Sequence, residues 1–140
     1  MNDDAVVNLL HGNNYSLYDK DLKILYKSIE TSIVSLVLCH GKIVAIDRGV
    51  NISTSSRKRW VALAHSYDVP CEAIVFPKSS PEVHAQRRAS HDGRGHDYDY
   101  WLMVAKHHDS IYNEPSLEEG FDNIHKISYE QILAGRVIDG

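Results

Sequence analysis

The chain has 140 residues, 43 % hydrophobic and 24 % charged, with a formal net charge of −4 when its nine histidines are neutral. That length suits one domain with one core, and the composition excludes a disordered chain. The acidic balance argues against a general duplex binder, which draws its affinity from a basic surface that neutralises phosphate, and leaves nucleic-acid binding to a small, local basic cleft.

Asn2 or Asp3 caps a first helix carrying Val6, Val7, Leu9 and Leu10, which stops at Gly12. Leu22, Leu25, Tyr26, Ile29, Ile33, Leu36 and Val37 recur at helical spacing and predict a long helix. It should end at His40-Gly41, with Gly41 in the left-handed conformation. Lys42 to Asp47 is continuously apolar through Ile43, Val44, Ala45 and Ile46, the pattern of a strand buried on both faces of a parallel sheet. A helix over residues 55–67 buries Trp60, Leu63 and Ala64 and breaks at Val69-Pro70. Residues 71–76 form a second buried strand.

Ser80-Pro81-Glu82 reads as an N-cap, a proline at the first helical position and an acid in the first turn. Residues 90–97 contain two glycines and no large apolar side chain, and read as a mobile loop. Tyr100, Leu102, Met103 and Ala105 belong to the next helix, and residues 124–128 to a third strand. Ser128-Tyr129-Glu130-Gln131 matches a capping box opening a last helix that Gly135 ends. The alternation predicts one α/β domain over 1–140: a parallel sheet of about three strands with flanking helices.

Ligands of such sheets bind beyond the carboxyl ends of the strands, where Asp47 and Pro77 fall. An acid at that position can hold a metal ion, or it can cap the next loop. Arg57-Lys58-Arg59 can meet a phosphate through bidentate guanidinium contacts, or can be a solvated helix face. Arg87, Arg88 and Arg94 bracket the 90–97 loop, where arginines can close as a lid over a triphosphate or simply serve solubility. Asp3-Asp4 fits a helix N-terminus and equally fits a general base.

His91-Asp92, His96-Asp97 and His108-Asp109 are three His-Asp pairs, a dipeptide that metal-dependent phosphohydrolases also use. No zinc spacing accompanies them. Met1-Asn2-Asp3-Asp4 has no basic start, no apolar run approaches the ~20 residues of a membrane span, and Cys39 and Cys71 stand alone. A cytoplasmic protein without membrane contact is the expectation.

One string is more specific than the rest: Pro115-Ser116-Leu117-Glu118-Glu119-Gly120-Phe121. With Asn2 to Val6, Asp47, Asn51, Arg57 to Trp60, Val69-Pro70, Phe76 and Arg87-Arg88 before it in order, the chain resembles P-loop kinases of the polynucleotide 5′-kinase type over residues 2–127. The resemblance implies a P-loop kinase fold and transfer of the ATP γ-phosphate, with Mg²⁺, to a 5′-hydroxyl of a nucleic acid. It implies Asp3 as general base, Asp47 near the metal or substrate, and Arg87 with Arg88 or Arg94 as lid arginines. Asn51 and Arg57 fall on the substrate side.

Some positions depart from the family pattern. No G-x-x-x-x-G-K-[ST] loop occurs, Val6 stands where the family carries an arginine, and the residue 48–51 segment lacks the common threonine. The expectation is a domain without its first strands, its P-loop supplied by an N-terminal segment or a second polypeptide. Two alternatives accompany it: a non-catalytic remnant that binds nucleic-acid ends or a protein, and a small-molecule kinase lobe.

Overall fold

The computed structural model describes residues 3–47, 51–91 and 95–134. Their contacts gather into two compact units, Met1–Asn51 with Ala62–Val69, and Ile52–Val61 with Pro70–Gly140. Among the described residues the chain is mostly helical, with one small parallel sheet.

In the first unit, helix α1 (Asp3–Leu10) is followed by two single turns of 3₁₀ helix, Tyr15–Leu17 and Lys20–Leu22, and by helix α2 (Lys23–Cys39). The short turns have side-chain causes. Asn14 Oδ1 accepts from the Ser16 N–H at 3.1 Å, and Asp19 Oδ1 from the Asp21 N–H at 2.8 Å. Val6, Val7 and Tyr26 form the core, with Tyr15 and Ile29 against it. The Tyr26 hydroxyl satisfies the Asp19 N–H at 3.2 Å and lies 2.9 Å from His11 Nε2, so this buried ring keeps its polar end paired.

The buried stripe of α2 is narrower than its apolar pattern predicts. Tyr26, Glu30 and Val34, spaced four apart, are buried, while Leu22, Leu25 and Leu36 are exposed, as are Leu9 and Leu10 of α1. The end of α2 follows expectation. His40 caps it and Gly41 takes φ +65°, which costs a glycine nothing.

Lys42–Asp47 departs from expectation. It has no regular secondary structure, and Ile43 is 98 % exposed. A strand is defined by its hydrogen-bonded neighbour, and among the described residues none pairs with this run. The sheet therefore has two strands here rather than three.

In the second unit, β1 (Glu72–Val75) and β2 (Asn123–Lys126) run parallel, Glu72 opposite Asn123 and Val75 opposite Lys126. Reciprocal bonds set this register at its start. Asp122 Oδ2 accepts from the Cys71 N–H at 2.7 Å, and Cys71 O accepts from the Asp122 N–H at 2.8 Å. Asp122 and burial both raise the Cys71 thiol above its ordinary pKa, burial more strongly.

Helix α3 (Thr54–Ser66) spans the unit division. It buries Trp60 and Ala64 as expected, and also Arg57 and Val61, with Leu63 only half-buried. Helix α4 (Pro81–Ala89) starts at the predicted Ser80 cap with Pro81 in its first turn, and it lies against helix α5 (Tyr98–Ile111). The predicted capping box at Ser128 and Gln131 opens helix α6 (Tyr129–Leu133). Its predicted stop, Gly135, lies outside the described residues, as does the candidate cap Asn2.

Candidate functional site

Arg57 is the most constrained of the candidate residues. It lies one turn into α3 and is 5 % exposed. Its Nε donates to Glu119 Oε2 at 2.9 Å and its Nη2 to Glu119 Oε1 at 2.6 Å, a two-pronged contact between side chains that are 6 % and 9 % exposed. Nη1 donates to the Asn113 carbonyl at 2.9 Å, and Nη2 reaches Thr54 Oγ1 at 3.4 Å. Each guanidinium nitrogen is thus engaged with the protein itself. The Asn113 N–H donates to Ile52 O at 2.8 Å, so the same residue is held from both sides.

Glu119 belongs to the Pro-Ser-Leu-Glu-Glu-Gly-Phe string, and the fold of that string explains its spelling. Leu117–Glu119 is a single 3₁₀ turn. Gly120 closes it at φ +97°, a conformation that side chains with a Cβ rarely adopt. The Ser116 N–H donates to Glu119 Oε1 at 3.2 Å. Hydrogen bonds from Arg57, its charge and the Ser116 N–H hold the Glu119 carboxyl below the usual carboxylate range, overcoming the opposing effect of burial.

A second cluster lies where α4 ends and α5 begins. The Arg88 guanidinium sits 4.9 Å from the Trp101 ring centre. His96 stacks on Tyr100 with centroids 3.9 Å apart and planes 18° apart, and both meet Trp101 edge-on, at 5.8 and 5.2 Å. Asp97 accepts from the Tyr100 N–H at 2.9 Å, capping α5. Farther along α5, Lys78 pairs with Asp109 at 2.6 Å. Burial, helped by His107 and His84, pushes His108 below its ordinary pKa.

The remaining candidates are scattered. Arg87 is exposed on α4, and its carbonyl accepts from His91 Nδ1 at 3.0 Å. In the first unit, Asp47 is exposed at the end of the 42–47 run, and Asn51 Nδ2 donates to Ile46 O at 3.4 Å, which brings Asn51 back beside that end. Asp3 opens α1. Arg94, the segment 48–50 and the middle of the predicted lid lie outside the described residues. Among the described residues no three His, Cys, Asp or Glu side chains gather as a metal site, and no helix is long and apolar enough to cross a membrane.

Two features escaped the sequence reading. Glu119 as the partner of Arg57 had one signal, a charged residue set inside an otherwise well-defined turn. The Arg88–Trp101 contact had another, since Trp101 follows the loop that Arg88 precedes. No protein-family model and no curated protein matches the chain.

Proposed function

We propose that this chain is the substrate-and-lid portion of a polynucleotide 5′-kinase-type phosphotransferase, which moves the ATP γ-phosphate to a nucleic-acid 5′-hydroxyl once a P-loop is supplied. The observation that carries the reading is the Arg57–Glu119 pair. It joins two strings that carry the resemblance, the Arg-Lys-Arg segment and the Pro-Ser-Leu-Glu-Glu-Gly-Phe string, across 62 positions.

On this reading the 42–47 run is a strand of a P-loop-kinase-like domain that gains its partner when the strand feeding the loop pairs beside it. The loop comes from an N-terminal segment or a second polypeptide, in a reducing cytoplasm. Asp3 takes the proton of the attacking hydroxyl. Arg87, with Arg88 or Arg94, offsets charge on the transferring group. Asn51 contacts the substrate, and Arg57 fixes the start of α3.

Mg²⁺ is commonly held by one or two carboxylates plus substrate phosphates, so the single exposed carboxylate of Asp47 fits a metal that arrives with the nucleotide. Bound there, ATP and Mg²⁺ would supply the phosphoryl group and a charge that stabilises its oxygens.

The test is phosphate transfer to a 5′-hydroxyl oligonucleotide by the chain alone and by the chain joined to a strand and loop carrying G-x-x-x-x-G-K-[ST]. The chain alone should transfer none. The joined protein should transfer, and Asp3→Asn should lower its kcat by about 100-fold or more. A joined protein that binds ATP yet phosphorylates no nucleic-acid end would sink the reading. Transfer only to a sugar, nucleoside or antibiotic hydroxyl would favour a small-molecule kinase lobe.

One observation favours a second reading, a non-catalytic remnant that binds nucleic-acid ends or a partner protein. Val6, where the family carries an arginine, is fully buried in the first unit's core. At that position the chain has traded a phosphate contact for packing.

A further inference from the structure

Helix α2 carries two stripes, and only one of them is covered. Tyr26, Glu30 and Val34 are buried in the first unit. Beside them run Leu22, Leu25, Ile29, Ser32, Leu36 and Cys39, spaced alternately by three and by four. That is the 3.5-residue period of a helix packing along a second helix. Ile29 leans on the core, while the other five are exposed, Leu36 at 62 %. Ser28, Ile33 and Ser35 flank this seam within α2 and carry no charge, so a helix laid along it meets no like charge there.

The seam complements itself when reversed. Two antiparallel copies related by a two-fold axis set Leu25 against Leu36, Ile29 against Ser32 and Leu22 against Cys39. Each pairing then occurs twice, as in any isologous interface. Large side chains face small ones in two of these layers, which lets the helices close together. A parallel pair would instead set Ser32 against Ser32 at mid-seam.

Helix electrostatics favour the same direction. The first turn of α2 has no acid and its last turn no basic residue, so its own side chains do not offset the macrodipole at either end. An antiparallel neighbour brings the opposite end alongside and does so.

We propose that α2 is the contact of an antiparallel homodimer, its exposed seam covered by α2 of a second copy of this chain. The helix has 17 residues and is roughly 25 Å long. So short a contact makes a weak dimer that dissociates on dilution. The second copy brings no G-x-x-x-x-G-K-[ST] loop, so the contact is separate from the supply of that loop and does not rest on the phosphotransfer reading.

The test is sedimentation equilibrium of the 140-residue chain in reducing buffer over a range of concentrations. A monomer–dimer equilibrium is expected. Leu36→Lys changes two symmetry-related layers at once and should raise the dissociation constant by about tenfold or more. Ile24 is 81 % exposed but lies off the seam, and Ile24→Lys should leave the constant unchanged. Circular dichroism of Leu36→Lys, unchanged from the parent, ties the loss to the contact; if that variant misfolds, Leu25→Lys is read in the same way.

Direction is read with Leu22→Cys and oxidised glutathione. The introduced thiol should form a disulfide with the partner's Cys39, identified by peptide mass. Within one chain the two positions lie roughly 25 Å apart along the helix, too far for such a bond. A Cys39–Cys39 bond in its place would mean a parallel pair and would overturn the proposal. So would a monomer at every concentration, equal weakening by Ile24→Lys, or undiminished association of both seam variants.

Discussion

Arg57 and Glu119 illustrate how far a residue's type is from its use. Sequence marks an arginine opening a helix as a phosphate candidate, because that is what guanidinium geometry suits. The folded chain spends the same geometry on its own carboxylate. Breaking one side of a buried pair strands a charge, so Glu119→Gln should lower the unfolding free energy measured in urea by about 3 kcal/mol. The double replacement Arg57→Met with Glu119→Leu should recover most of that loss. A single-variant cost under about 1 kcal/mol would show the pair to be dispensable.

Because the Glu119 pKa is depressed from 4.5, the stability it supplies is complete above that pH and is lost as pH falls through the folded value. The two cysteines offer a second check at this scale. Cys39 is exposed, while the Cys71 thiol is raised by burial and by Asp122. An aromatic disulfide reagent should therefore titrate Cys39 first, with Cys71 following slowly. Equal rates would contradict this picture. Neither the Arg57 partner nor this contrast was legible in the sequence, since spacing along a chain does not specify contact across it.

Helix ends were legible where the signal is local. Ser80, Ser128 and Gly41 act as their residue types predict, because a cap needs only neighbours three or four positions away. Asp97 was not legible as a cap, since it closes a glycine-containing stretch that reads as loop. The apolar faces of α1 and α2 were only half legible, because periodicity gives a stripe and not the width of what covers it. The 42–47 run shows the same gap more sharply. Its composition says buried strand, yet Ile43 is exposed and no strand among the described residues pairs with the run. The Ile43 amide, whose side chain is 98 % exposed, should exchange with solvent quickly, and the run should gain protection when the chain is joined to a strand-and-loop segment. Strong protection in the chain alone would show that a partner strand already lies there.

At the scale of the whole chain, much apolar surface faces solvent, including Ile24, Ile43 and Leu133. Stability should also follow His108. Its pKa is depressed from 6.5 by burial, with His107 and His84 adding to the effect, and the next residue, Asp109, pairs with Lys78. The neutral ring therefore favours the fold, and this stability is present above pH 6.5 and lost as pH falls through the folded value. Melting temperatures on either side of that window should differ more for the parent than for His108→Asn, and an equal slope in both would remove His108 as the cause.

The α/β class and the order of elements, apart from the expected strand at 42–47, were legible, because each follows from local pattern. The two-unit division was not, because it depends on which distant residues touch. Those distant contacts also set a timetable. The bonds that organise the second unit join residues 51 and 62 positions apart, so the chain must close long loops before either set forms. A contact that forms after the rate-limiting step acts on the unfolding barrier alone. Glu119→Gln should therefore leave the refolding rate nearly unchanged and shorten the lifetime of the folded unit.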